Sequence, residues 1–184
     1  MPSLLQLVHE NPADDGARRS YADWLIEQGD VRGELIALQL ARASKGMSHA
    51  AERREVELLF KHGREWLGKH AKRIRDYRFE RGFLASCTVT SLTKSMVGDP
   101  LWSTVERLGL DLGDGPLAAA FVTHPVLRSL RDLRGVGPLT FAELQKPGRG
   151  AGLRVLQVDS TARVPLERAK AFGGLQQLER LTFE

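Results

Sequence analysis

An apolar pair of the form L-x-L returns at a nearly regular interval in the second half of this chain, and this feature most constrains the fold. The units begin at Cys87, Leu108, Leu133, Leu156 and Leu181, at spacings of 21, 25, 23 and 25 residues. The third unit breaks the simple pattern, because Gly135 stands where the second apolar residue is expected. Another apolar residue lies three positions before each of the later pairs: Val105, Leu130, Leu153 and Leu178. Successive side chains of a strand point to opposite faces, so each pair predicts a short strand with one buried face.

Helical signals lie between these strands, in the segments 116–122, 139–144 and 165–172. Pro116 and Pro165 suit the first turn of a helix, where the missing N–H has no partner to lose. A period of about 20 to 29 residues resembles the leucine-rich repeat. One such unit cannot cover its own apolar face, whereas stacked units can. We therefore expect an α/β fold in which residues 83–184 form a short solenoid of parallel strands with outer helices.

Residues 1–82 have the periodicity of helices and are expected to cap that solenoid. A first helix stops near Asn11-Pro12, Asp14 and Asp30 cap the next two, and Gly29 ends the second in the left-handed region. A fourth helix is expected from about Glu52 to Lys69. The expected buried side chains of the second and fourth helices are Tyr21, Trp24, Leu25, Ile26, Val56, Leu59, Phe60, Trp66 and Leu67.

The segment 21–39, YADWLIEQGDVRGELIALQ, resembles the signature of the bacterial repeat-companion domain, roughly YADWLEERGDPRGEFIRLQ. The resemblance covers about residues 3–45, with looser matches at Trp66-Leu67 and at Arg81-Gly82-Phe83. Val31 departs from it, because the family usually has proline there. The resemblance implies an N-terminal helical module that precedes leucine-rich-type repeats. The family has no established enzymatic activity, so the resemblance implies architecture more than function.

The charged residues of this segment have two readings. Asp23, Arg32 and Glu34 could form a site. The favoured reading is structural: Asp30 caps a helix, Glu34 lies in its first turn, and Arg18 or Arg19 pairs with Asp23 about one turn away.

The concave face of the expected sheet is the preferred site for a protein partner, because solenoids usually bind across this surface. Its expected rows are Ser86, Arg107, Asp132, Val155 and Arg180; then Thr88, Gly109, Arg134, Gln157 and Thr182; then Thr90, Asp111, Gly135, Asp159 and Glu184. The residues expected to contact the partner are Arg107, Asp111, Asp132, Arg134, Gln157, Asp159, Arg180 and Glu184.

A basic segment offers an alternative site, for nucleic acid. Residues 51–82 hold ten basic and six acidic side chains, within a chain whose net charge is only +4. The basic members near the end of this block are Lys69, Lys72, Arg73, Arg75, Arg78 and Arg81. Lysine and arginine supply nonspecific nucleic-acid affinity by neutralising phosphates. The simpler reading is a solvated connector, so nucleic acid is the less favoured partner.

The sequence contains no catalytic or cofactor motif that we can identify. Neither G-x-x-x-x-G-K-[ST] nor G-x-G-x-x-G occurs, and the histidines lack zinc-finger spacing. The single cysteine, Cys87, is expected in the core, which fits a reducing, cytoplasmic setting. No apolar run is long enough to span a membrane, and the first residues lack a secretory leader.

We therefore expect a non-catalytic interaction module, a scaffold or adaptor, with no metal and no cofactor. Its protein partner is not identified by the sequence. The last strand, Leu181-Thr182-Phe183-Glu184, lacks a polar capping unit, which predicts self-association through its open edge.

Overall fold

The structure is a computed structural model that describes residues 2–159, 166–171 and 173–184. The chain is α/β, with a six-stranded, mostly parallel sheet whose strands lie side by side in chain order. It divides into two compact units, Met1–Ala71 with Arg78–Ala85, and Lys72–Tyr77 with Ser86–Glu184. The expected domain boundary between residues 82 and 83 stays a prediction, because the division into compact units does not test which segment folds by itself.

The first unit begins with four α-helices: α1 (Leu4–Glu10), α2 (Asp15–Glu27), α3 (Val31–Lys45) and α4 (His49–His62). The Asp14 carboxylate accepts hydrogen bonds from the N–H groups of Gly16 and Ala17, and Asp30 accepts one from Arg32. Gly29 ends α2 with φ at 74°, in the left-handed region. These caps lie where the sequence predicts them, because capping depends on residues adjacent in the chain.

α4 ends seven residues before its expected end at Lys69, and a 3₁₀ helix, Glu65–Arg73, follows it. The inward face of α4 also differs from the expected one, because Val56 and Phe60 are exposed while Glu55 and Leu58 are buried. Ion pairs set this rotation. Arg54 binds Glu34 at 2.7 Å, and Arg42 binds the buried Glu55 at 2.9 Å.

Two strands, β1 (Ile74–Glu80) and β2 (Phe83–Val89), form a hairpin. The sequence predicts a strand at Cys87, within β2, but suggests only a connector where β1 lies. The turn consists of Arg81 and Gly82, with φ of 52° and 79°. Positive φ at both central residues is typical of the type I′ turn, whose twist matches that of antiparallel strands. Arg81 adopts this conformation although its Cβ makes it less favourable than for glycine.

Arg18 holds this turn from α2. The side chain is 1% exposed, and it donates from Nη2 to the carbonyl of Pro12 at 2.7 Å and from Nη1 to that of Arg81 at 2.9 Å. Its guanidinium lies 4.8 Å from the centre of the Phe83 ring, within the range of a cation–π contact. The sequence predicts that Arg18 or Arg19 pairs with Asp23, whereas the hydrogen bonds of Arg18 go to the carbonyl groups of Pro12 and Arg81.

In the second unit a short helix follows each of the next three strands. Two 3₁₀ helices, Lys94–Met96 and Pro100–Thr104, precede them. The series is β3 (Arg107–Leu110), α5 (Pro116–Val122), β4 (Asp132–Val136), α6 (Pro138–Leu144), β5 (Val155–Val158), α7 (Leu166–Ala171) and β6 (Arg180–Phe183). From β3 to β6, each strand is parallel to the one before it. Pro165 and Phe172, at the ends of the expected third helix, lie outside the described residues.

One face of the sheet is apolar and forms the core of this unit. Cys87, Leu108, Leu133, Leu156 and Leu181 stand level on neighbouring strands. The first four are buried and Leu181 is half-buried. The upstream residues Val105, Leu130, Leu153 and Leu178 are all buried as well. The L-x-L pairs therefore are strands with a common buried face, as the sequence predicts.

Candidate functional site

The opposite face of the sheet carries a row of side chains across five strands. The Cα register places Ser86, Arg107, Asp132, Val155 and Arg180 level with one another. Neighbouring strands lie about 4.8 Å apart, so the row spans about 19 Å. This is the first row that the sequence predicts.

A second row stands two residues further along. Thr88, Gly109 and Arg134 are level on three strands, and Gln157 is level with Thr182. Because Gly109 has no side chain, the face has a depression here of about 250 Å³. Polar groups line it from Asp76, Ser86, Thr88, Arg107, Asp132 and Arg134. We call these two rows, with the acidic residues Asp111, Asp159 and Glu184, the polar sheet face.

Asp132 and Arg134 form a two-pronged ion pair on this face. Arg134 donates from Nε to Oδ1 at 3.0 Å and from Nη2 to Oδ2 at 2.8 Å. These hydrogen bonds hold the pKa of the Arg134 guanidinium above its ordinary value. The Asp132 side chain is 14% exposed and that of Arg134 is 59% exposed, so the pair offers mainly its guanidinium to a partner.

The rows are interrupted between β4 and β5. Leu133 lies opposite Leu156, but Val136 lies opposite Val158, so β4 holds one additional residue. Gly135 sits in this bulge with φ at 72°, and a Cβ there would lie 2.1 Å from the Leu110 carbonyl oxygen. Gly135 therefore does not stand level with Asp159, which corrects the third expected row. The bulge also moves Arg134 out of line with Gln157.

Acidic residues follow three of the strands at their carboxyl ends. The backbone N–H of Asp111 donates to Val89, that of Asp159 to Val136, and that of Glu184 to Val158. The ladder therefore holds each backbone in line with its strand. The Asp111 carboxylate lies 2.8 Å from Arg75 Nη2 on β1. The polar sheet face is therefore acidic at the C-terminal ends of the strands, which we call its carboxyl edge. The charge of Asp111 is already paired with that of Arg75.

The basic segment is divided between the two compact units. Its members fall in both units: Lys69, Arg78 and Arg81 in the first, and Lys72, Arg73 and Arg75 in the second. Three of them have carboxylate partners within their own unit. Arg75 binds Asp111 at 2.8 Å, Arg81 binds Asp15 at 3.3 Å, and Arg78 lies 3.8 Å from Glu80. These pairs reduce the positive charge available for phosphates.

In the described part of the chain, no cluster of three or more His, Cys, Asp or Glu side chains is placed to hold a metal ion. Cys87 is buried, as expected, and burial raises the pKa of its thiol to about 12. A thiol with this pKa is almost entirely protonated near neutral pH and is a poor nucleophile.

None of the helices within the described ranges combines the length and the apolar character needed to cross a membrane.

Two features of the structure were not predicted from the sequence. Trp24 is 46% exposed instead of buried, and Ile26 is exposed as well. The Trp24 ring stacks on Tyr21 and, with Ser3, Leu4 and Leu5, lines a pocket of about 440 Å³. Helical spacing puts Tyr21 and Trp24 on one side of α2, but it does not reveal that this side ends at an open pocket.

The second feature is a helix cap supplied from a distant loop. The Asp114 carboxylate accepts hydrogen bonds from the N–H groups of Leu139 and Thr140, at 2.6 and 3.1 Å, and from the Thr140 hydroxyl at 2.6 Å. Asp114 therefore accepts the hydrogen bonds of the free N–H groups in the first turn of α6. The N-cap residue of this helix, Gly137, has no side chain that could do so. Because 25 residues separate Asp114 from Leu139, no local capping pattern indicates this contact.

Comparison of the chain with protein-family models, curated proteins and solved structures gives no match.

Proposed function

We propose that this chain is a non-catalytic protein-binding module, a scaffold or adaptor, and that its partner contacts the polar sheet face. The contact residues are Arg107, Asp111, Asp132, Arg134, Gln157, Asp159, Arg180 and Glu184. The observation that carries the proposal is the register of Ser86, Arg107, Asp132, Val155 and Arg180, which aligns four polar side chains and one valine from distant parts of the sequence.

The arrangement of strands and helices supports this reading. Parallel neighbouring strands with one buried face are consistent with a short leucine-rich-repeat-like solenoid. The segment 21–39 resembles the repeat-companion domain, and we assign residues 1–82 to such a helical cap. On this proposal the helices stabilise one end of the sheet, and the polar sheet face supplies specificity through its charges.

The partner is expected to have both acidic and basic groups. Arg107, Arg134 and Arg180 lie within the first two rows, whereas Asp111, Asp159 and Glu184 lie at the carboxyl edge. A partner segment that presents carboxylates to the rows and cations to the edge complements this pattern. Side chains from separate strands then act together, so a single substitution weakens binding less than a reversal of several charges.

The test is charge reversal on the polar sheet face, away from β6. Asp111→Lys combined with Asp159→Lys is expected to weaken binding of a protein captured by the unaltered chain, measured by titration with that purified protein. The matched control is Asp23→Lys with Glu27→Lys, which makes the same charge change on exposed α2 positions. Both variants should keep their circular dichroism spectrum. Equal affinity for the two variants would refute this surface.

Binding of nucleic acid is the competing outcome. If the basic segment binds phosphates, the chain is retained on DNA or RNA at low salt, and retention falls steeply as salt rises. Lys69→Ala combined with Lys72→Ala removes two exposed cations, while Lys94→Ala is a control elsewhere in the chain. Salt-sensitive retention lost only in the double variant would replace the protein-binding proposal.

A further inference from the structure

Two adjoining hollows lie on the helical side of the second unit. The smaller one, of about 190 Å³, is lined by the segments 122–130 and 148–153, which follow α5 and α6. The larger one, of about 550 Å³, is lined mainly by α5 and α6 themselves. We call them the basic hollow and the apolar hollow. They have wall residues in common, so one ligand can occupy both; these are Thr123, His124, Pro125 and Arg149.

The basic hollow presents two guanidinium groups. Arg128 lines it from one segment and Arg149 from the other, and both side chains are exposed at the surface. Among the described residues that line this hollow, none is acidic. Buried leucines also line it: Leu127, Leu130 and Leu153. Because apolar atoms displace water, a guanidinium attracts an anion more strongly here than on an open surface.

The backbone that carries Arg149 is fixed by its packing. The N–H of Arg149 donates to the Lys146 carbonyl at 3.1 Å. Gly150, the next residue, is buried, and a Cβ there would lie 2.7 Å from Leu175 Cδ2. A side chain on an ordered backbone loses less conformational entropy when it binds a ligand.

Arg131 connects the two segments that line the basic hollow. Its Nη1 donates to the Leu130 carbonyl at 3.1 Å and to the Gly152 carbonyl at 3.4 Å. Leu130 and Gly152 belong to opposite walls, so these hydrogen bonds hold the walls together. The two guanidinium groups of the hollow are therefore presented from segments that are joined.

His124 supplies a further donor on the wall that both hollows share. Its Nδ1 accepts a hydrogen bond from the backbone N–H of Val126 at 3.1 Å, so Nε2 carries the ring proton. An imidazole in this tautomer donates a hydrogen bond from Nε2 without being charged.

The apolar hollow can receive the organic part of a ligand. Its walls include Val97, Pro116, Ala119, Ala120 and Leu139. Glu143 also lines it, but this carboxylate forms an ion pair with Lys146. An apolar space beside a few convergent polar groups is typical of sites for small molecules.

We propose that these hollows bind a small phosphate monoester, with its phosphate between Arg128 and Arg149 and its organic group in the apolar hollow. A guanidinium matches phosphate through two parallel N–H···O bonds. Phosphate has three acceptor oxygens, so it accepts from both arginines and from His124 at once, whereas a carboxylate has two. The site is separate from the polar sheet face and does not depend on the partner proposed for that face.

Titrations followed by ¹H–¹⁵N NMR test the ligand class. At constant ionic strength, phenyl phosphate should shift the signals of residues 123–130 and 148–153 of the full chain. It should bind at least about threefold more tightly than inorganic phosphate, because its ring is buried in the apolar hollow. Benzoate, which has the same ring and a carboxylate, should bind at least about tenfold more weakly than phenyl phosphate.

Substitutions test the two ends of the site separately. Arg149→Gln and Arg128→Gln should each weaken phenyl phosphate binding at least about tenfold, because each removes a charge-assisted contact. The matched control is Arg19→Gln, at an exposed position of α2, which should stay within about twofold. Leu139→Ser should reduce the preference for phenyl phosphate over inorganic phosphate and leave the affinity for inorganic phosphate unchanged.

Each outcome bears on the proposal. It would be overturned by the absence of any shift with phenyl phosphate, by equal weakening in Arg149→Gln and Arg19→Gln, or by benzoate binding as tightly as phenyl phosphate. Loss of binding in both arginine variants of the hollow, with the control unchanged and the selective effect of Leu139→Ser, would support it. Partner binding by the polar sheet face is measured separately, so failure of one proposal is distinguishable from failure of the other.

Discussion

Gln39 and Gly82 are joined by a 2.7 Å hydrogen bond, in which the side-chain oxygen of Gln39 accepts from the backbone N–H of the turn. The amide nitrogen of Gln39 donates to the Phe79 carbonyl at 3.1 Å and to the Glu55 carboxylate at 2.7 Å. Gln39 is 1% exposed, so water cannot replace these bonds. One buried side chain therefore connects α3, α4 and the hairpin turn.

Replacing Gln39 by alanine is expected to lower the free energy of unfolding by about 2 to 3 kcal/mol, because it leaves several buried polar groups without this partner. Urea unfolding followed by circular dichroism measures the change. Gln6→Ala, on the exposed side of α1, is the control and should change stability by less than about 0.5 kcal/mol. Equal effects of the two substitutions would show that the turn does not depend on Gln39.

Gly82→Ala should destabilise the protein more than Gly29→Ala. Both glycines have positive φ, 79° and 74°, which costs about 1 kcal/mol or more with a side chain. Only at Gly82 would the added Cβ also clash, at 2.0 Å from Ile36 Cγ1, while nothing lies within 4 Å at Gly29. The difference between the two variants, measured by urea unfolding, is expected to be about 1 to 3 kcal/mol.

Ile36→Ala identifies the clash as the cause. Combined with Gly82→Ala, it removes the nearest obstructing atom, Cγ1, so the double variant should lose less stability than the two single losses added together. Strict additivity would show that Cγ1 of Ile36 does not contribute to the cost at Gly82.

Asp114→Ala is expected to cost about 1 kcal/mol, because it removes the cap of α6. Burial acts to raise the pKa of the Asp114 carboxyl, but hydrogen bonds from Thr140, Leu139 and Gly115 together lower it below 3.8. Because the pKa of Asp114 is lower in the folded state, the ionised carboxylate stabilises the protein fully above the unfolded-state pKa. This stabilisation is lost as the pH falls through the folded-state pKa. The difference between the two proteins should therefore narrow below about pH 4.

The control for this prediction is Asp114→Asn, which keeps an acceptor oxygen but cannot ionise. Its stability relative to Asp114→Ala should be independent of pH between about pH 3 and pH 7. Unfolding in urea at several pH values checks both variants. A gap between the unaltered chain and Asp114→Ala that stays constant down to pH 2 would contradict the assigned ionised cap.

Phe60→Ser should leave the protein as stable as before, within about 0.5 kcal/mol, because the Phe60 side chain is 93% exposed. Leu58→Ser, two residues earlier on α4, should cost about 3 kcal/mol, because Leu58 is 2% exposed. Thermal unfolding of both variants checks the contrast. A larger loss of stability in Phe60→Ser than in Leu58→Ser would show that α4 buries the face that apolar spacing predicts.

Features that depend on residues close together in the chain were predictable from the sequence, whereas contacts between distant residues were not. Asp14, Asp30 and Gly29 act on backbone groups within a few positions, and their roles were predictable from the chain alone. The alternation of buried residues likewise predicted strands β2 to β6 and the first row of the polar sheet face. The binding role of that row stays a prediction.

Contacts between distant residues escaped prediction. The orientation of α4 depends on Arg54 binding Glu34 and on Glu55 binding Arg42 and Gln39, whereas apolar spacing favoured Val56 and Phe60. The shift between β4 and β5 depends on the close approach of Gly135 to the Leu110 carbonyl.

The sequence by itself determined the caps of α2 and α3, the positions of β2 to β6 and which face of these strands is apolar. These properties follow from the chirality of the backbone and from hydrophobicity repeated at a fixed period. The tertiary structure decided the hairpin turn held by Gln39, the cap supplied by Asp114 and the exposure of Trp24. Each of these depends on groups far apart in the chain, whose burial and hydrogen bonding exist only once the chain has folded.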